Sequence, residues 1–423
     1  MPPGRTRSCL THLQGSLSGR SYPADELAGL DPADGRPLLA RYDLGRAAET
    51  LTREGVGRRE RGLWRWHELL PVRDWSNVTS LGEGECPLLP ARRLGAAFGL
   101  ADLTVKAESL NPTGSFKARG MAVAVSRALE LGTAHLVVPS AGNAGGALAA
   151  YAARAGVRAT VVMPVDAPAA NRAEVQVAGA DLILVEGLIS DCGRLASRIA
   201  AELGAFDLST LKEPYRVEGK KTMGFELLEA FDWSIPDAIV YPTGGGTGLI
   251  AMWKAFAELE AAGLIGAERP RLVAVQAEGC APVVKSFAAG ERFAEPWTEA
   301  ATAAAGIRVP QAVGDFLMLD AIRSSGGTAI AVPEREIHEM QAFVARRTGS
   351  YVGLETAAAA AALPALLKSG SISARDRVVL FDTGSGYKSE PPAAFDTPPV
   401  LQAGGEDWDA AIQTLRSRSR APR

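Results

Sequence analysis

The chain is 423 residues long, 47% apolar and 22% charged, with a formal net charge of −3; that is enough for roughly two or three domain-sized units and ordinary for a globular protein. A pI near 6.0 gives no basic balance to recommend a nucleic-acid partner. No run approaches the ~18 consecutive apolar residues of a membrane span.

The opening stretch MPPGRTRSCLTHLQGSLSG is rich in Arg and Ser but lacks an apolar stretch, and Asp25 and Glu26 follow closely, so no signal peptide is expected. Cys9, Cys86, Cys192 and Cys280 are too scattered for a disulfide framework, which points to a reduced, cytoplasmic setting. From about residue 100, short β-branched runs alternate with longer helical ones. LTVKA (103–107), HLVVP (135–139), ATVVMP (159–164), DLILV (181–185), DAIVYP (237–242), RLVAVQ (271–276) and RVVLFD (377–382) read as buried strands. Between them the Ala-, Leu- and Glu-rich segments near 116–131, 144–155, 168–178, 190–203, 217–231, 249–262 and 355–368 read as helices. Strands and helices in that alternation predict an α/β fold, with parallel sheets covered on both faces. Pro168 suits a first helical turn, and Gly132, Gly156 and Gly179 suit helix ends. Residues 290–315 predict long loops with a short helix, and the basic tail RSRSRAPR (416–423) predicts disorder.

In an open parallel sheet, ligands bind beyond the carboxyl ends of the strands. Three glycine-rich turns fall there: SAGNAGG (140–146), TGGGTG (243–248) and TGSG (383–386). In the middle turn, Gly244, Gly245, Gly246, Thr247 and Gly248 directly precede a helix, so backbone N–H groups and the positive helix end converge on one anion. The turn lacks the Gly-Lys-Ser/Thr of a nucleotide loop and the spaced glycines of a dinucleotide turn, so a single small phosphate fits it better. Lys117, in NPTGSFKARG (111–120), falls on the first turn of a helix, where a cation is the wrong sign for the dipole. A lysine that condenses with an aldehyde, a phosphate cradle and polar residues at two further strand ends are together what pyridoxal phosphate needs.

In these residues the sequence resembles the fold type II pyridoxal-phosphate enzymes, and within them the threonine synthases. The resemblance runs over roughly residues 63–388, through LWRWHELLPV, SLGEGECPL, ESLNPTGSFKARGM, PSAGNAGGALAAYAA, RVEGKKTMGFELLE, YPTGGGTGLIAMWKAF, AVQAEGCAPVVKSF, GIRVP and DTGSGYK. It implies two parallel-sheet α/β subdomains with the cofactor between them. Lys117 would be the covalent anchor and proton carrier, Asn143 the partner of the ring 3′-oxygen, Gly244–Gly248 the phosphate site and Thr383 the neighbour of the ring nitrogen. A threonine there, instead of a carboxylate, keeps the ring from being held as a full pyridinium and favours chemistry at Cβ and Cγ. The loop containing Ser140, Gly142 and Ala144 would take the substrate carboxylate. The implied reaction turns O-phospho-L-homoserine and water into L-threonine and phosphate, in a homodimer. A phosphorylated substrate needs a second anion site, for which YRVEGKKT offers Arg216 with support from Lys221.

Two positions depart from the family pattern. Ala118 stands where threonine synthases often carry aspartate directly after the lysine, and Ala144 where threonine often follows the asparagine. Serine or threonine ammonia-lyases and β-replacing synthases of the same fold are therefore alternatives, and a non-catalytic ligand-binding member is a third. GRPLLARYDL (35–44) matches the end of a small zinc ribbon found in relatives, but Gly15 and Ser18 occupy the places of its first cysteine pair. Cys9 and His12 alone do not make a tetrahedral site, so no metal is expected. The expected organisation is an N-terminal segment (1–44), a larger subdomain (45–115 with 214–400), a smaller one (116–213) and a tail (401–423).

Overall fold

A computed structural model describes residues 4, 6–389, 398, 400–403 and 407–418. In chain order the strands are β1 (Leu10–Gly15), β2 (Ser21–Pro23), β3 (Leu38–Tyr42), β4 (Leu88–Pro90), β5 (Asp102–Ala107), β6 (His135–Pro139) and β7 (Arg158–Pro164). They continue with β8 (Asp181–Val185), β9 (Phe206–Asp207), β10 (Ala238–Pro242), β11 (Arg271–Ala277), β12 (Thr328–Val332) and β13 (Arg377–Asp382). A six-stranded sheet runs β12-β11-β10-β13-β5-β4, a four-stranded one β8-β7-β6-β9, and a three-stranded one β2-β1-β3. The first two are parallel except for the edge strand β4, and the third is antiparallel. The alternation of elements predicts such parallel sheets, and the two larger sheets match the two α/β subdomains that the family resemblance implies.

Alternate residues of the central strands enter different cores, as a period of two requires. Ile239 and Tyr241 of β10, with Val379 and Phe381 of β13, join the main core; Ala238 and Val240, with Val378 and Leu380, pack against Ala357–Ala362 on the other face. Each such large side chain contributes about 1.5–3 kcal/mol by leaving water. Strands buried on both faces need helices on both sides, and that arrangement sends every strand-to-helix turn to the same edge.

The observed helices start and stop close to where the sequence places them, with informative exceptions. The segment expected as one helix over 355–368 is two, Leu354–Ala361 and Leu363–Ser369, because Pro364 enters the first turn of the second and has no N–H for a continuing ladder. Strand β12 and the helices Asp315–Ser324 and Glu334–Thr348 carry no sequence expectation. EREIHEMQAFVARRT does carry a helical apolar spacing in Ile337, Met340 and Val344, which the expected elements leave out, whereas β12 is a short, partly exposed edge with little period of its own. Residues 290–315 are loops with a short 3₁₀ turn at Ala305–Ile307. Considered by itself, the C-terminal unit contains the helix Asp407–Arg418, so residues 416–418 of the expected disordered tail are helical; 419–423 lie outside the described residues.

The N-terminal antiparallel sheet closes around a carboxylate. Asp31 is buried, and its two oxygens accept from Ser18 Oγ at 2.5 Å and from Tyr22 Oη at 2.5 Å, with the Ala33 amide at 2.8 Å. A Cβ on Gly15 would lie 2.0 Å from Asp31 Oδ2. Gly15 and Ser18, where the resemblance would place a first cysteine pair, thus both lie against one carboxylate. Cys9 is buried against Arg46, Sγ to Nε 3.3 Å, and His12 Nδ1 meets the Thr11 hydroxyl at 2.9 Å.

Candidate active site

The turns after β6, β10 and β13 open into one cleft of about 990 Å³. Its walls include Lys117, Asn143, Gly244, Gly245, Gly246, Thr247, Gly248 and Thr383. Residues drawn together from four distant stretches of sequence thus share one cavity, at the strand ends where an open parallel sheet places its ligands.

Lys117 opens the helix Lys117–Glu130, which follows a tight turn in which Thr113 (φ 61°) and Gly114 (φ 63°) are both left-handed. A β-branched residue seldom adopts that conformation. The Lys117 amine lies 3.8 Å from the centre of the Phe116 ring. Burial, with a further contribution from the Arg216 guanidinium, lowers its pKa to about 7. A substantial fraction of such an amine is neutral near physiological pH, the form that attacks a carbonyl.

The middle turn is built around glycine. Gly246 has φ 73°, and a Cβ there would lie 1.9 Å from Met318 Sδ; a Cβ on Gly248 would lie 2.0 Å from the Tyr241 hydroxyl. The helix Thr247–Ala261 starts at this point and turns its positive end toward the cleft. Lys220 Nζ donates to Thr247 Oγ1 at 2.5 Å from a fully buried position, and burial, with Arg216 and Lys117 nearby, pushes its pKa well below the usual value. Tyr241 is among the residues lining the same cleft, and its buried hydroxyl has no hydrogen-bond partner among the described residues. A helix end, a lysine bonded to a hydroxyl and an orphaned phenol together fit a phosphate monoester, whose charge would raise the protonation of Lys220.

The other two turns supply polar groups. Asn143 begins the helix Asn143–Ala155 and accepts at Oδ1 from Asn171 Nδ2 at 3.2 Å. Ser140 lies beside it, and its hydroxyl oxygen accepts from the amides of Gly142 (3.1 Å) and Gly145 (3.0 Å), which fixes the loop that carries Gly142 and Ala144. Thr383 lines the cleft while its carbonyl accepts from Phe116 N at 3.1 Å, tying the turn after β13 to the start of the Lys117 helix. Behind it Asp382 is buried with the hydroxyls of Ser109 and Thr356, and burial raises its carboxyl to about 6.

Two of the cations expected at a second anion site stand elsewhere. Lys221 is fully buried and pairs with Glu218 at 2.5 Å and Glu258 at 2.7 Å, away from the residues that line the cleft. Arg216 donates to the Leu208 carbonyl at 2.6 Å and reaches the Thr210 hydroxyl at 3.4 Å. Thr210 lines the cleft and abuts Gly245, so Arg216 backs the glycine turn instead of opening onto a separate pocket. The physical reason is the helix Tyr215–Ala230: its first amides are capped by Glu213, and its side chains point inward around most of its circumference. Ala118 is fully buried in the main core, and neither it nor Ala144 is among the residues lining the cleft. Thr210, Tyr241 and Glu355 had no place in the sequence-based site, and Lys220 entered it only beside Arg216 and Lys221, as a cation of the YRVEGKKT stretch for the second anion site. Glu355 lines the cleft and accepts from Gly306 N at 2.7 Å. Its sole signal in the sequence is a lone acid before an alanine run.

The family model described as pyridoxal-phosphate dependent enzyme matches residues 79–384. The chain belongs to that family of pyridoxal-phosphate-dependent enzymes. Within it, the chain is similar to the threonine synthase of Methanocaldococcus jannaschii, 38% identical over 378 residues that cover 89% of this chain and 92% of that protein. It is 36% identical to the threonine synthase of Methanosarcina acetivorans over 345 residues, covering 81% of this chain and 84% of that one. Maize serine racemase shares the fold, with a TM-score of 0.62 at 21% identity over 80% of this chain and 94% of that structure. The fold type II architecture, the cofactor class and the threonine synthase resemblance read from the motifs are borne out.

Proposed function

We propose that the chain converts O-phospho-L-homoserine and water to L-threonine and phosphate, with Lys117 as its catalytic residue. The observation that supports this most directly is the convergence of Lys117, Asn143, the Gly244–Gly248 turn and Thr383 on one cleft, in a chain 38% identical to a threonine synthase. Pyridoxal phosphate bound there withdraws electrons from the substrate's Cα, which acidifies the Cα and Cβ hydrogens and lets phosphate leave from Cγ. The Gly244–Gly248 amides hold the cofactor phosphate, with Lys220 and Arg216 behind Thr247 and Thr210. The Asn143 amide would donate to the ring 3′-oxygen, and the neutral Thr383 hydroxyl would be the neighbour of the ring nitrogen. The loop Ser140–Ala144 receives the substrate carboxylate on its backbone amides. Lys117 Nζ, of which a substantial fraction is neutral near pH 7, takes protons from Cα and Cβ, delivers one to Cγ in place of the departed phosphate, and returns the other to Cα after water adds at Cβ, the water's second proton leaving with phosphate.

The same reading includes the subdomain division at 45–115 with 214–400 and 116–213, a homodimer and a cytoplasmic setting. No helix among the described residues is long and apolar enough to cross a membrane. The test is a product assay of the purified, cofactor-loaded protein. Phosphate and threonine should form in equal amounts from O-phospho-L-homoserine. Ammonia release from L-serine or L-threonine, with no phosphate release from phosphohomoserine, would instead assign the ammonia-lyase alternative.

A further inference from the structure

Beside the cleft a chain of hydrogen bonds links Asn143 to two charged residues that the reaction does not use. Asn171, itself buried, donates from Nδ2 to Asn143 Oδ1 at 3.2 Å and to Glu174 Oε1 at 3.0 Å. Glu174 Oε2 pairs with Lys388 Nζ at 2.8 Å, and Lys388 also donates to the Thr113 carbonyl at 2.9 Å. A Cβ on Gly146 would lie 1.9 Å from the Glu174 carboxyl, so the glycine after Gly145 is what admits this carboxylate over the Asn143 helix.

We infer that Glu174 and Lys388 are positioning residues for the cofactor ring, acting through Asn171 to fix which end of the Asn143 amide faces the cleft. The inference rests on the reading that Asn143 meets the ring 3′-oxygen. An ionised carboxylate only accepts, so the end of Asn171 that faces Glu174 must be its NH₂ group. That group has two hydrogens and two acceptors, and the second acceptor must be the oxygen of Asn143. The NH₂ of Asn143 is thereby turned toward the turn after β13, where a Cβ on Gly384 would lie 3.0 Å from it. A donor fixed there suits a phenolate oxygen; a reversed amide would present a lone pair and repel it. Lys388 forms a charged hydrogen bond to Glu174 and also holds the left-handed Thr113 turn that leads into Lys117. Glu174 belongs to the helix Ala169–Val177 against the four-stranded sheet, and Lys388 follows β13 of the six-stranded sheet. The orientation of Asn143 therefore depends on both halves of the fold.

The test compares the binding of pyridoxal phosphate and of 3-deoxypyridoxal phosphate to the apoprotein by equilibrium dialysis. Glu174→Gln keeps the shape but lets the amide chain reverse, and Lys388→Met removes the charge that holds it. Each variant should weaken pyridoxal phosphate about 10-fold, the equivalent of one lost hydrogen bond, and leave the 3-deoxy analogue within about twofold. The thermal midpoint of each apoprotein serves as the folding control. Equal weakening of both ligands, or weakening of neither, overturns the inference. Asn143→Ala should show the same selectivity for the 3-oxygen. If it does not, the placement of Asn143 at that oxygen is wrong and the inference falls for that separate reason.

Discussion

Lys220 and Lys221 are adjacent in sequence, equally buried and on one helix, yet they have opposite surroundings. Lys221 pairs with Glu218 and Glu258, and Lys254 pairs with the same two carboxylates, so two cations and two anions balance within the core. The Tyr42 hydroxyl donates to Glu218 at 2.8 Å and its ring centre lies 4.0 Å from the Lys221 amine, which ties this cluster to the N-terminal sheet. Lys220 bonds to a threonine hydroxyl, and Lys117 and Arg216, both of which lower its proton affinity, lie close by. A step of about 100° along the helix separates the two environments. Burial alone does not distinguish a structural cation from a binding one; the local charge balance does. The balanced cluster is complete without a ligand, whereas the unbalanced one is suited to an anion.

The balanced cluster should break hardest. Glu218→Gln leaves Lys221 and Lys254 sharing one carboxylate in the core, and should cost about 3–5 kcal/mol, read as a lower urea midpoint. An unchanged midpoint would show that the cluster is not structural. Lys220→Met should do the reverse. Removing an amine that burial disfavours should leave the apoprotein as stable or more so, while weakening pyridoxal phosphate by about 2–4 kcal/mol, roughly 30- to 1,000-fold. Pyridoxal, which lacks the phosphate, should bind the variant and the parent alike. Loss of affinity for both ligands would place Lys220 in the scaffold.

The unbalanced cluster should also appear in the pH dependence of the apoprotein. Lys117 titrates near 7 when folded and near 10.5 when unfolded, so between those values the unfolded chain holds more protons and stability rises with pH. The slope approaches about 1.4 kcal/mol per pH unit for one such group. Glu213 acts in the opposite sense: its carboxyl is raised from 4.5 to about 7, so its contribution falls as pH rises through that lower window. Buried Cys86, raised from 9.0 to about 12, opposes the trend only above 9. Urea titrations between pH 7 and 8.5 should therefore show rising stability, and Lys117→Met should make the rise shallower, leaving the part that buried Lys220 contributes in the same sense. A parent curve already flat across that interval would contradict the lowered proton affinity of Lys117.

Much of this was legible in the sequence because the signals are local. A strand end followed by glycines and a helix start marks a ligand turn wherever the rest of the chain goes, and Lys117, Asn143, Gly244–Gly248 and Thr383 all carry that mark. The assignment of cations was not local. GKKT places two lysines together without saying which faces the cleft, because the helix Tyr215–Ala230 is buried nearly all round and has no solvent face to set its phase. The carboxylates that neutralise Lys221 come from that helix and from Thr247–Ala261, and Thr210, which screens Arg216 from the cleft, sits on a loop. These relations exist only once the chain has folded.

Asp31 is the mirror of Lys220: a buried anion held by neutral donors. It sharpens the comparison because no anion-seeking function attaches to it. The Ser18 and Tyr22 hydroxyls and the Ala33 amide favour its ionised form and hold its pKa below the ordinary value against the opposing effect of burial. Gly15 leaves room for the carboxylate and Ser18 bonds to it, so these two positions form a hydrogen-bonded hub around Asp31. Asp31→Asn keeps the shape but turns one accepting oxygen into a donor facing a hydroxyl. The hydroxyl can rotate to accept, so the loss should be small, about 1 kcal/mol. Hydrogen exchange should locate it, with amides of β1 and β2 opening faster and those of β10 and β13 unchanged. Added zinc should not restore protection, because Asn and Ser do not replace thiolates as ligands. Uniformly faster exchange across the six-stranded sheet would show that the hub supports the whole molecule, and the contrast between a local anion and a functional cation would then fail.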